Sequence, residues 1–366
     1  VDDSKKVIGL VTDGDIRRSP LEKITLDTEV SFIANKDFIW ASSNASRETL
    51  IKNLDSKIRF LPLLNENKQL VEIVSNDHLP LVDEANVFIR SRAPVRVSFA
   101  GGGSDLTHFF KDTSGAVINS AISVYSHALM KVRNDSRVVI QSRDLQDTLF
   151  GENLDDALKK KGSFGLIQSI LHVIKPTFGF ELYLHSDFSV GSGLGGSATI
   201  SAAVIGCFNE ARKDKWNQYE ISEIAFQAER LHLGIAGGWQ DQYASVFGGF
   251  NFIEFNTEEN IVNPIRVHKD VALELEESLV LCDTGISHNS GNIHENQKQT
   301  MSSKIVNEMV RENVKLTHKI RKYLLRGDLL NLGKCLDLGW RNKKNFRKMI
   351  SNNEIDNIYQ GAINSG

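Results

Sequence analysis

A glycine-rich stretch and a few charged residues are the parts of this sequence that could carry out chemistry together. The stretch GSGLGGSA covers residues 191–198, follows a strand-like segment and leads into an apolar, helix-like segment. Glycines let backbone N–H groups point inward and let a phosphate approach closely, and the free N–H groups at a helix start favour an anion. On spacing alone, the stretch is equally compatible with a phosphate-binding loop and with a close-packed turn.

Ser197 and Glu229 could hold a metal ion that is bound to phosphate. Ser197 stands where the helix begins, so its hydroxyl could instead cap the helix. Mg²⁺ prefers one or two carboxylates or hydroxyls together with phosphate oxygens and water, and these two side chains supply that number. The plainer alternative for Glu229 is a solvated carboxylate at a helix end, paired with Arg230 or His232.

Asp241, Arg96 and Asp105 could act on the group that receives the phosphate. A carboxylate beside an acceptor hydroxyl can take its proton, a contribution of about 10²–10⁴-fold. Asp241 starts the predicted helix DQYASVF, whose dipole favours the ionised carboxylate, and an arginine beside the phosphates adds a fixed positive charge. Each also has a structural alternative, because Asp241 and Asp105 could cap helices and Arg96 could point outward from a strand.

Three motifs, taken in order along the chain, resemble those of the GHMP small-molecule kinases, the family of galactokinase, homoserine kinase and mevalonate kinase. The motifs are APVRVSFAGGGSD at 93–105, GSGLGGSA at 191–198, and Glu229 followed by GIAGGWQD at 234–241. The resemblance covers residues from about 87 to the end of the chain. It implies an enzyme, a phosphotransferase with an alcohol group as acceptor, that uses ATP and Mg²⁺.

The resemblance also implies a role for each motif residue. Asp241 and Arg96 would be catalytic, and Ser197 and Glu229 would hold Mg²⁺. The residues that would bind ATP are Gly191, Gly193, Leu194, Gly195, Gly196, Ser197 and Ala198. The residues that would bind the substrate are Gly102, Gly103, Asp105 and Asp241.

Within the family, three stretches resemble the branch that phosphorylates D-glycero-D-manno-heptose 7-phosphate: RSRAPVRVSFAGGGSD, GIAGGWQDQYASVFGGFNFIEF and TGISHNSG. This implies transfer of the ATP γ-phosphate to the anomeric O1, giving the 1,7-bisphosphate for nucleotide-heptose and lipopolysaccharide biosynthesis. Two alternatives stay open. One is another GHMP sugar kinase, such as a fucokinase-like enzyme, and the other is a nucleotide-sensing protein whose kinase-like part is inactive.

A further set of residues could contact the sugar phosphate. His288, Asn289 and Ser290 follow a predicted strand and turn and could reach the sugar or its phosphate. A late predicted helix carries a basic cluster, which could form a cationic pocket for the 7-phosphate or simply a solvated face. The members of this cluster are Arg341, Lys343, Lys344, Arg347 and Lys348.

The first 80 residues contain an internal repeat. VDDSKKVIGLVTDGD at 1–15 aligns without gaps with LNENKQLVEIVSNDH at 64–78. The segment resembles a CBS-domain pair with an incomplete first unit, which implies an adenine nucleotide at Gly9, Thr12 and Asp15. The second copy has different residues at all three positions, and a structural or docking module without a ligand is the alternative.

The apolar pattern predicts the elements that position these residues. Predicted strands include Lys6–Val11, 116–123, 127–133 and Glu277–Cys282. Predicted helices include Phe164–Ile174, Tyr219–His232, 294–323 and 329–348. The helix after the glycine loop has a core-facing stripe made of Ile200, Ala203, Val204, Cys207 and Phe208.

The predicted fold is α+β: a two-domain GHMP kinase preceded by a CBS-like α/β module. The family implies a ribosomal-S5-like N-terminal half and a ferredoxin-like C-terminal half. The predicted domains are 1–80, 87–275 and 276–366, with a linker at 79–86. The third glycine-rich motif of the family is not found before residue 366, so the last domain is predicted to be incomplete and the chain to be truncated at both ends.

Composition excludes several classes of protein. Of 366 residues, 41% are apolar and 24% charged, and the net charge of −3 gives no reason to expect nucleic acid or an anionic membrane as partner. Its three cysteines are far apart and form no metal-ligand spacing or disulfide framework, and no apolar run approaches the length of a membrane span. We therefore predict a cytoplasmic protein, and the sequence leaves its oligomeric state open.

Overall fold

The structure, a computed structural model, describes residues 1–2, 4–18, 25, 27–54, 58–75, 79, 87–189, 191–282, 284, 304–346 and 351–365. The chain forms two compact units, Val1–Asn86 and Val87–Gly366. None of the described helices is both long and apolar enough to cross a membrane. The domain boundaries predicted from the sequence, including that at 275/276, stay predictions.

In its described residues the first unit contains a small three-stranded sheet, two α-helices and a 3₁₀ turn at Val30–Phe32. Its strands are β1 (Ala41–Ser42), β2 (Phe60–Leu64) and β3 (Leu70–Ser75), and its helices are α1 (Asp13–Arg18) and α2 (Arg47–Asn53). Strand β2 lies in the middle, parallel to β1 and antiparallel to β3. Its core is formed by Leu50 of α2 packed against Leu61, Leu63 and Val74.

The two copies of the repeat fold into the same turn. Asp2 Oδ1 accepts hydrogen bonds from the backbone N–H groups two and four residues later, and Asn65 Oδ1 does the same in the second copy. Lys5 and Lys68 both adopt a left-handed conformation, with φ of 64° and 58°. The residues that follow these lysines pair with each other in an antiparallel bridge, so the repeat seen in the sequence is also a repeat of conformation.

The second unit is built on a seven-stranded sheet. The strands are β4 (Phe88–Ala100), β5 (Gly115–Arg133), β6 (Val138–Ser142), β7 (Asp147–Gly151), β8 (Gly179–Ser186), β9 (Phe250–Phe255) and β10 (Asn260–Pro264). The order is β10-β9-β5-β8-β6-β7, with β4 paired along β5. Strand β5 is long enough to pair first with β9 and then with β8 on the same edge. Among these pairs only β6 and β8 are parallel.

The described α-helices of this unit are α3 (Thr107–Phe110), α4 (Leu154–Lys159), α5 (Gly165–Ile174), α6 (Gly196–Glu210), α7 (Gln218–Phe226), α8 (Gln240–Phe247), α9 (Lys269–Ser278), α10 (Lys304–Arg326), α11 (Leu329–Phe346) and α12 (Asn353–Asn364). Helix α6 is buried along most of its length and carries the predicted apolar stripe into the core. There Phe208 meets Phe180 of β8 edge-on, with ring centroids 5.0 Å apart. A separate core cluster joins Ile320 and Leu324 of α10 to Phe252 of β9.

Several sequence-based predictions are wrong in detail. Lys6–Val11 is not a strand and makes only isolated bridges at its ends, and Glu277–Cys282 is not a strand because its first two residues end α9. The stretches 116–123 and 127–133 belong to one continuous strand. The helix predicted at Tyr219–His232 changes at residue 227 into a π-helical turn, which widens the backbone where Glu229 lies.

Some predictions lie outside the described residues. They include His288, Asn289 and Ser290, most of the linker, and Arg347 and Lys348 of the basic cluster. The first part of the helix predicted at 294–323 is also outside, and the described helix α10 begins at Lys304.

Candidate active site

The glycine loop enters α6 through a series of left-handed residues. Gly191, Gly193 and Gly195 have φ of 84°, 77° and 80°, a conformation that residues with a Cβ rarely adopt. Gly195 is the residue before α6, and among the described residues no side chain caps the first turn of that helix. Without such a cap, the N–H groups at the start of α6 could donate to a ligand, and the dipole of this 15-residue helix favours an anion there.

Arg96 of β4 and Asp241 of α8 meet beside this loop. The Arg96 guanidinium donates from Nε and Nη2 to Asp241 Oδ1, at 2.8 and 2.7 Å, and from Nη1 to the Gly193 carbonyl at 3.1 Å. A Cβ at Gly195 would lie 3.4 Å from Asp241 Oδ2 and 3.5 Å from Arg96 Cζ. The arginine thus points inward rather than to solvent, and the three predicted site elements converge.

Glu229 is buried in the π-helical turn, with 1% of its surface exposed, and its carboxylate contacts the first turn of α6. One carboxylate oxygen accepts a hydrogen bond from Ser197 Oγ, and the other accepts one from Gln242 Nε2 at 2.6 Å. Arg230 Nη1 lies 3.3 Å from the first oxygen. Glu229 does pair with Arg230, as the alternative expected, but it is a buried carboxylate and not a solvated one.

Asp105 attaches the GGGSD turn to the start of α8. Its Oδ1 accepts from the Gly103 N–H at 2.9 Å, its Oδ2 accepts from the Gln240 N–H at 3.3 Å, and its carbonyl accepts from the Trp239 N–H at 3.2 Å. Any side chain at Gly238 would overlap the Asp105 carboxylate. Asp105 therefore caps α8, which carries Asp241, rather than its own helix α3.

The turn itself is anchored to β5. Ser104 is buried, donates to the carbonyls of Gly101 and Ala116 and accepts from the Ala116 N–H at 3.1 Å. Gly102 is the half-exposed residue of the turn, and a Cβ there would lie 3.9 Å from Lys343 Nζ of α11. Lys343 is thus a described member of the basic cluster that lies near the predicted substrate-binding turn.

Two other described members of the cluster form ion pairs with acidic residues. Arg341 bonds to Asp337 of the same helix, and Lys344 bonds to Asp356 of α12. These ion pairs favour the solvated-face interpretation for those two side chains.

Sequence reasoning missed three residues that organise the site. Gln242 holds Glu229, and its Oε1 is buried without a hydrogen-bond partner among the described residues. Thr199 of α6 and Ser245 of α8 join the two helices through their hydroxyls, 3.1 Å apart. Gln242 directly follows Asp241, so extending the motif at 234–241 by one residue would have included it. The contact between Thr199 and Ser245 could not be predicted, because no local sequence pattern indicates it.

The residues predicted to bind a nucleotide in the first unit also have local roles. The Thr12 N–H and hydroxyl donate to Asp15 Oδ2 at 2.8 and 2.6 Å, and these bonds, with Arg18, hold the pKa of Asp15 below its usual range. A Cβ at Gly9 would lie 2.9 Å from the Ala34 Cβ, so glycine is needed there for packing. A turn with a capped helix accounts for these three residues, and nucleotide binding stays a prediction.

Comparison with known proteins identifies the class. The model for the N-terminal domain of GHMP kinases matches residues 163–249, which contain the glycine loop, Glu229 and Asp241. A relative that is 36% identical over 284 residues extends the similarity over 76% of this chain and 84% of its own length. The chain belongs to the GHMP kinase family, so the predicted family is confirmed, and it is a sugar kinase, a phosphotransferase with an alcohol group as acceptor.

That relative is the D-glycero-alpha-D-manno-heptose 7-phosphate kinase of Campylobacter jejuni. Among solved structures, a D-glycero-D-manno-heptose 1-phosphate kinase from Bacteroides thetaiotaomicron is similar with a TM-score of 0.60 and 30% identity, over 70% of this chain and 79% of that one. A Lactococcus lactis galactokinase has a TM-score of 0.53 at 17% identity, over 74% and 78%. The last comparison supports the fold alone, and the fold is that of a GHMP kinase.

Proposed function

We propose that this chain transfers the γ-phosphate of ATP to the anomeric O1 of D-glycero-D-manno-heptose 7-phosphate, giving the 1,7-bisphosphate. The convergence of Arg96, Asp241 and Gly195 carries the proposal for phosphoryl transfer. The choice of acceptor is supported by the heptose kinases to which the chain is similar, although their names differ in the position of the phosphate. A cytoplasmic location and a role in nucleotide-heptose synthesis belong to the same proposal.

In this proposal the glycine loop binds the ATP phosphates. The N–H groups at the start of α6 bind phosphate oxygens, and the alternating left-handed glycines keep side chains out of their way. Arg96 adds a fixed positive charge beside the Gly193 carbonyl. Phosphoryl transfer depends mainly on such positioning and charge neutralisation, because the reacting phosphate develops charge on its oxygens.

Asp241 prepares the acceptor. Arg96 holds its Oδ1, which turns Oδ2 towards Gly195 and leaves that oxygen to accept the proton of the sugar O1 hydroxyl. A bond forms between O1 and the γ-phosphorus, the bond from that phosphorus to the β–γ bridging oxygen breaks, and ADP leaves. The proton resides on Asp241 until it passes to solvent.

The residues around Ser197 fit a magnesium ion. Ser197 Oγ and the Glu229 carboxylate are already in contact, and the buried Gln242 Oε1 has no hydrogen-bond partner among the described residues, so hydroxyl, carboxylate and amide oxygens stand together. Hard oxygen donors are the ligands that Mg²⁺ prefers. When bound, Mg²⁺ would neutralise the charge on the phosphate oxygens, while Gln242 keeps Glu229 oriented.

Lys343 is the proposed contact to the phosphate that the substrate already carries. Its ammonium group lies near Gly102, in the turn that is predicted to bind the sugar. We expect Lys343→Met to raise KM for heptose 7-phosphate about tenfold, because an ion pair with a phosphate in a partly closed site contributes roughly 1–2 kcal/mol. The same change should leave KM for an unphosphorylated sugar unaltered, and Arg341→Met is the matched control.

The decisive experiment is a substrate panel with ATP and Mg²⁺. It would compare heptose 7-phosphate, heptose 1-phosphate, the free heptose and L-fucose, with the product identified by phosphorus NMR. We expect a new signal at O1 only with heptose 7-phosphate. Equal turnover of a sugar without a phosphate would contradict the proposed acceptor while leaving the kinase assignment intact.

A fucokinase-like activity is the second candidate. The chain is 25% identical over 287 residues to an L-fucokinase/L-fucose-1-P guanylyltransferase of Bacteroides fragilis, across 69% of this chain but only 30% of that protein. Because L-fucose carries no phosphate, activity on it should not change in Lys343→Met. Turnover of L-fucose that exceeds that of heptose 7-phosphate would favour this candidate.

For the first unit we propose a CBS-like module that binds an adenine nucleotide near Thr12 and Asp15. These residues would offer a hydroxyl and a carboxylate to the ribose hydroxyls after exchange of their present mutual hydrogen bonds. Calorimetric titration of AMP into the full chain and into Asp15→Asn tests this. Binding that is equal in both proteins, or absent from both, would leave a structural module as the explanation.

A further inference from the structure

Three metal-ligating side chains lie together outside the residues assigned to phosphoryl transfer. We propose that His127, His185 and Asp187 form a binding site for a divalent transition-metal ion of the Zn²⁺ class. Their ligand atoms all lie within 4.8 Å of one another. This site does not depend on the proposed sugar substrate.

The sheet register brings these residues together. His127 of β5 and His185 of β8 are directly paired across the antiparallel strands, so their side chains point to the same side of the sheet. Their ring centroids are 4.6 Å apart. Asp187 follows His185 by two residues and returns to the same side, just past the end of β8.

Asp187 is held in place by the backbone of β5. Its N–H donates to the Tyr125 carbonyl at 2.9 Å, and its Oδ2 accepts from the Tyr125 N–H at 3.0 Å. Hydrogen bonds of this kind fix the orientation of a metal-ligating side chain before the metal ion binds. The backbone of β5 therefore fixes the Asp187 carboxylate beside the two imidazoles, so this side chain is not free to rotate on the surface.

The distances suit a tetrahedral ion. Zn–N and Zn–O bonds of about 2.0–2.2 Å place neighbouring tetrahedral ligands about 3.4 Å apart. His127 Nε2 lies 3.3 Å from Asp187 Oδ2, and the ligand atom of His185 lies within 4.8 Å of both. Two imidazoles and one carboxylate are the donor set of catalytic or exchangeable zinc sites, whereas Mg²⁺ and Ca²⁺ prefer oxygen ligands alone.

The surroundings set the character of the site. The two histidines line an open cavity of about 690 Å³, which gives a fourth ligand such as water access to the metal. Arg90 and Arg143 line the same cavity and oppose the binding of a cation. We therefore expect weak, exchangeable binding.

An ion pair between His127 and Asp187 is the competing explanation. Such a pair, with side chains 30% and 39% exposed, contributes at most about 1 kcal/mol, and it assigns no role to His185. Two neighbouring imidazoles would also repel each other if both were protonated. A metal ion uses both rings in their neutral form, and so accounts for all three side chains.

The test uses the metal-free full-length chain without nucleotide. Excess Mg²⁺ is added so that the proposed magnesium site around Ser197 and Glu229 does not compete for Zn²⁺. Calorimetric titration with ZnCl₂ should show one ion per chain, with affinity lowered about tenfold or more in His185→Ala and in Asp187→Asn. Addition of Co²⁺ should produce visible absorption of a four-coordinate ion, and the imidazole NMR signals of His127 and His185 should shift.

Two controls separate this site from other donors. His172→Ala removes a comparable histidine pair, since His172 and His232 have ring centroids 4.8 Å apart, and it should bind Zn²⁺ like the unchanged chain. Cys282→Ser removes an exposed cysteine. The proposal is overturned if the chain binds no Zn²⁺, or if binding survives His185→Ala and disappears in Cys282→Ser.

Discussion

Arg96 and Asp241 are 145 positions apart in the chain, yet two nitrogens of the Arg96 guanidinium bond to the same oxygen of Asp241, at 2.8 and 2.7 Å. This contact joins β4 to the first turn of α8. Because it occupies Oδ1, the other oxygen of Asp241 faces Gly195 and the glycine loop. The pair therefore orients the carboxylate that we propose as the proton acceptor.

Asp241→Asn should lower kcat by about 10²–10⁴-fold, because an amide keeps the shape of the side chain but cannot accept the proton. The measurement is steady-state turnover of the acceptor identified by the substrate panel. Asp270→Asn, on the exposed start of α9, is the matched control and should leave kcat unchanged. Unaltered turnover in Asp241→Asn would show that Asp241 is not the base.

Ser197→Ala should reduce turnover and weaken the dependence on Mg²⁺ far more than it reduces stability. The change removes the hydroxyl that contacts Glu229. It should have little effect on the helix, because Gly195 is the N-cap residue of α6 and the Ser197 side chain does not cap it. Ser201→Ala, four residues later, removes a hydroxyl bonded to the Ser197 carbonyl and serves as control. A large loss of unfolding free energy in Ser197→Ala, with normal magnesium dependence, would mean that the serine is only structural.

Asp105→Asn should lower both stability and kcat. The carboxylate accepts two backbone N–H groups, and an amide can satisfy only one of them without turning its own N–H towards the other. The expected loss is about 1.5–3 kcal/mol in the free energy of unfolding, measured with urea. Asp112→Asn, at an exposed site, is the control. If only KM for the sugar rises, Asp105 acts through the substrate and not through α8.

Phe208→Ala should destabilise the protein by about 3–5 kcal/mol, because it leaves a cavity beneath the glycine loop's helix. The ring is buried and packs edge-on against Phe180. At a temperature where the variant is folded, kcat should stay near that of the unchanged chain. Phe150 of β7 is 45% exposed, so Phe150→Ala should cost much less, and it would be compared in the same urea titration.

The ion pairs of Arg133 should make the free energy of unfolding fall as the pH is lowered into the acid range. Arg133 contacts both Asp135 and Glu181, and it holds the pKa of Asp135 well below its usual range. The pKa of Glu181 is also lowered, mainly by the hydrogen bond from the Tyr183 hydroxyl and to a smaller extent by Arg133. Carboxylates with a lowered pKa in the folded state stabilise it above about pH 5 and lose that contribution as the pH falls.

Arg133→Gln should therefore be less stable than the unchanged chain at pH 7, and the difference should shrink towards pH 3. Urea unfolding at a series of pH values measures this. Lys315→Gln removes an exposed ion pair with Glu312 and should show little change with pH. A difference that is constant from pH 7 to pH 3 would speak against the coupling.

Most of the site residues could be named from the sequence, because each motif is a continuous stretch with its own signal. The glycine loop, the stripe on α6 and the predicted start of α8 near Asp241 are local features, set by conformational freedom and apolar periodicity. The repeat in the first unit was also readable, since the same polar turn recurs in the same order. What these patterns left open was which of two roles each charged residue has.

The tertiary structure decided those roles. It buried Glu229 against Ser197, turned Arg96 towards Asp241 and placed Asp105 at the start of α8, and it merged two predicted strands into β5. It also paired His127 with His185, which no local pattern indicates. The sequence by itself determined the motifs and most of the helices and strands that carry them. Burial and charge pairing instead depend on segments that are 32 to 145 residues apart in the chain, and no single stretch encodes their meeting.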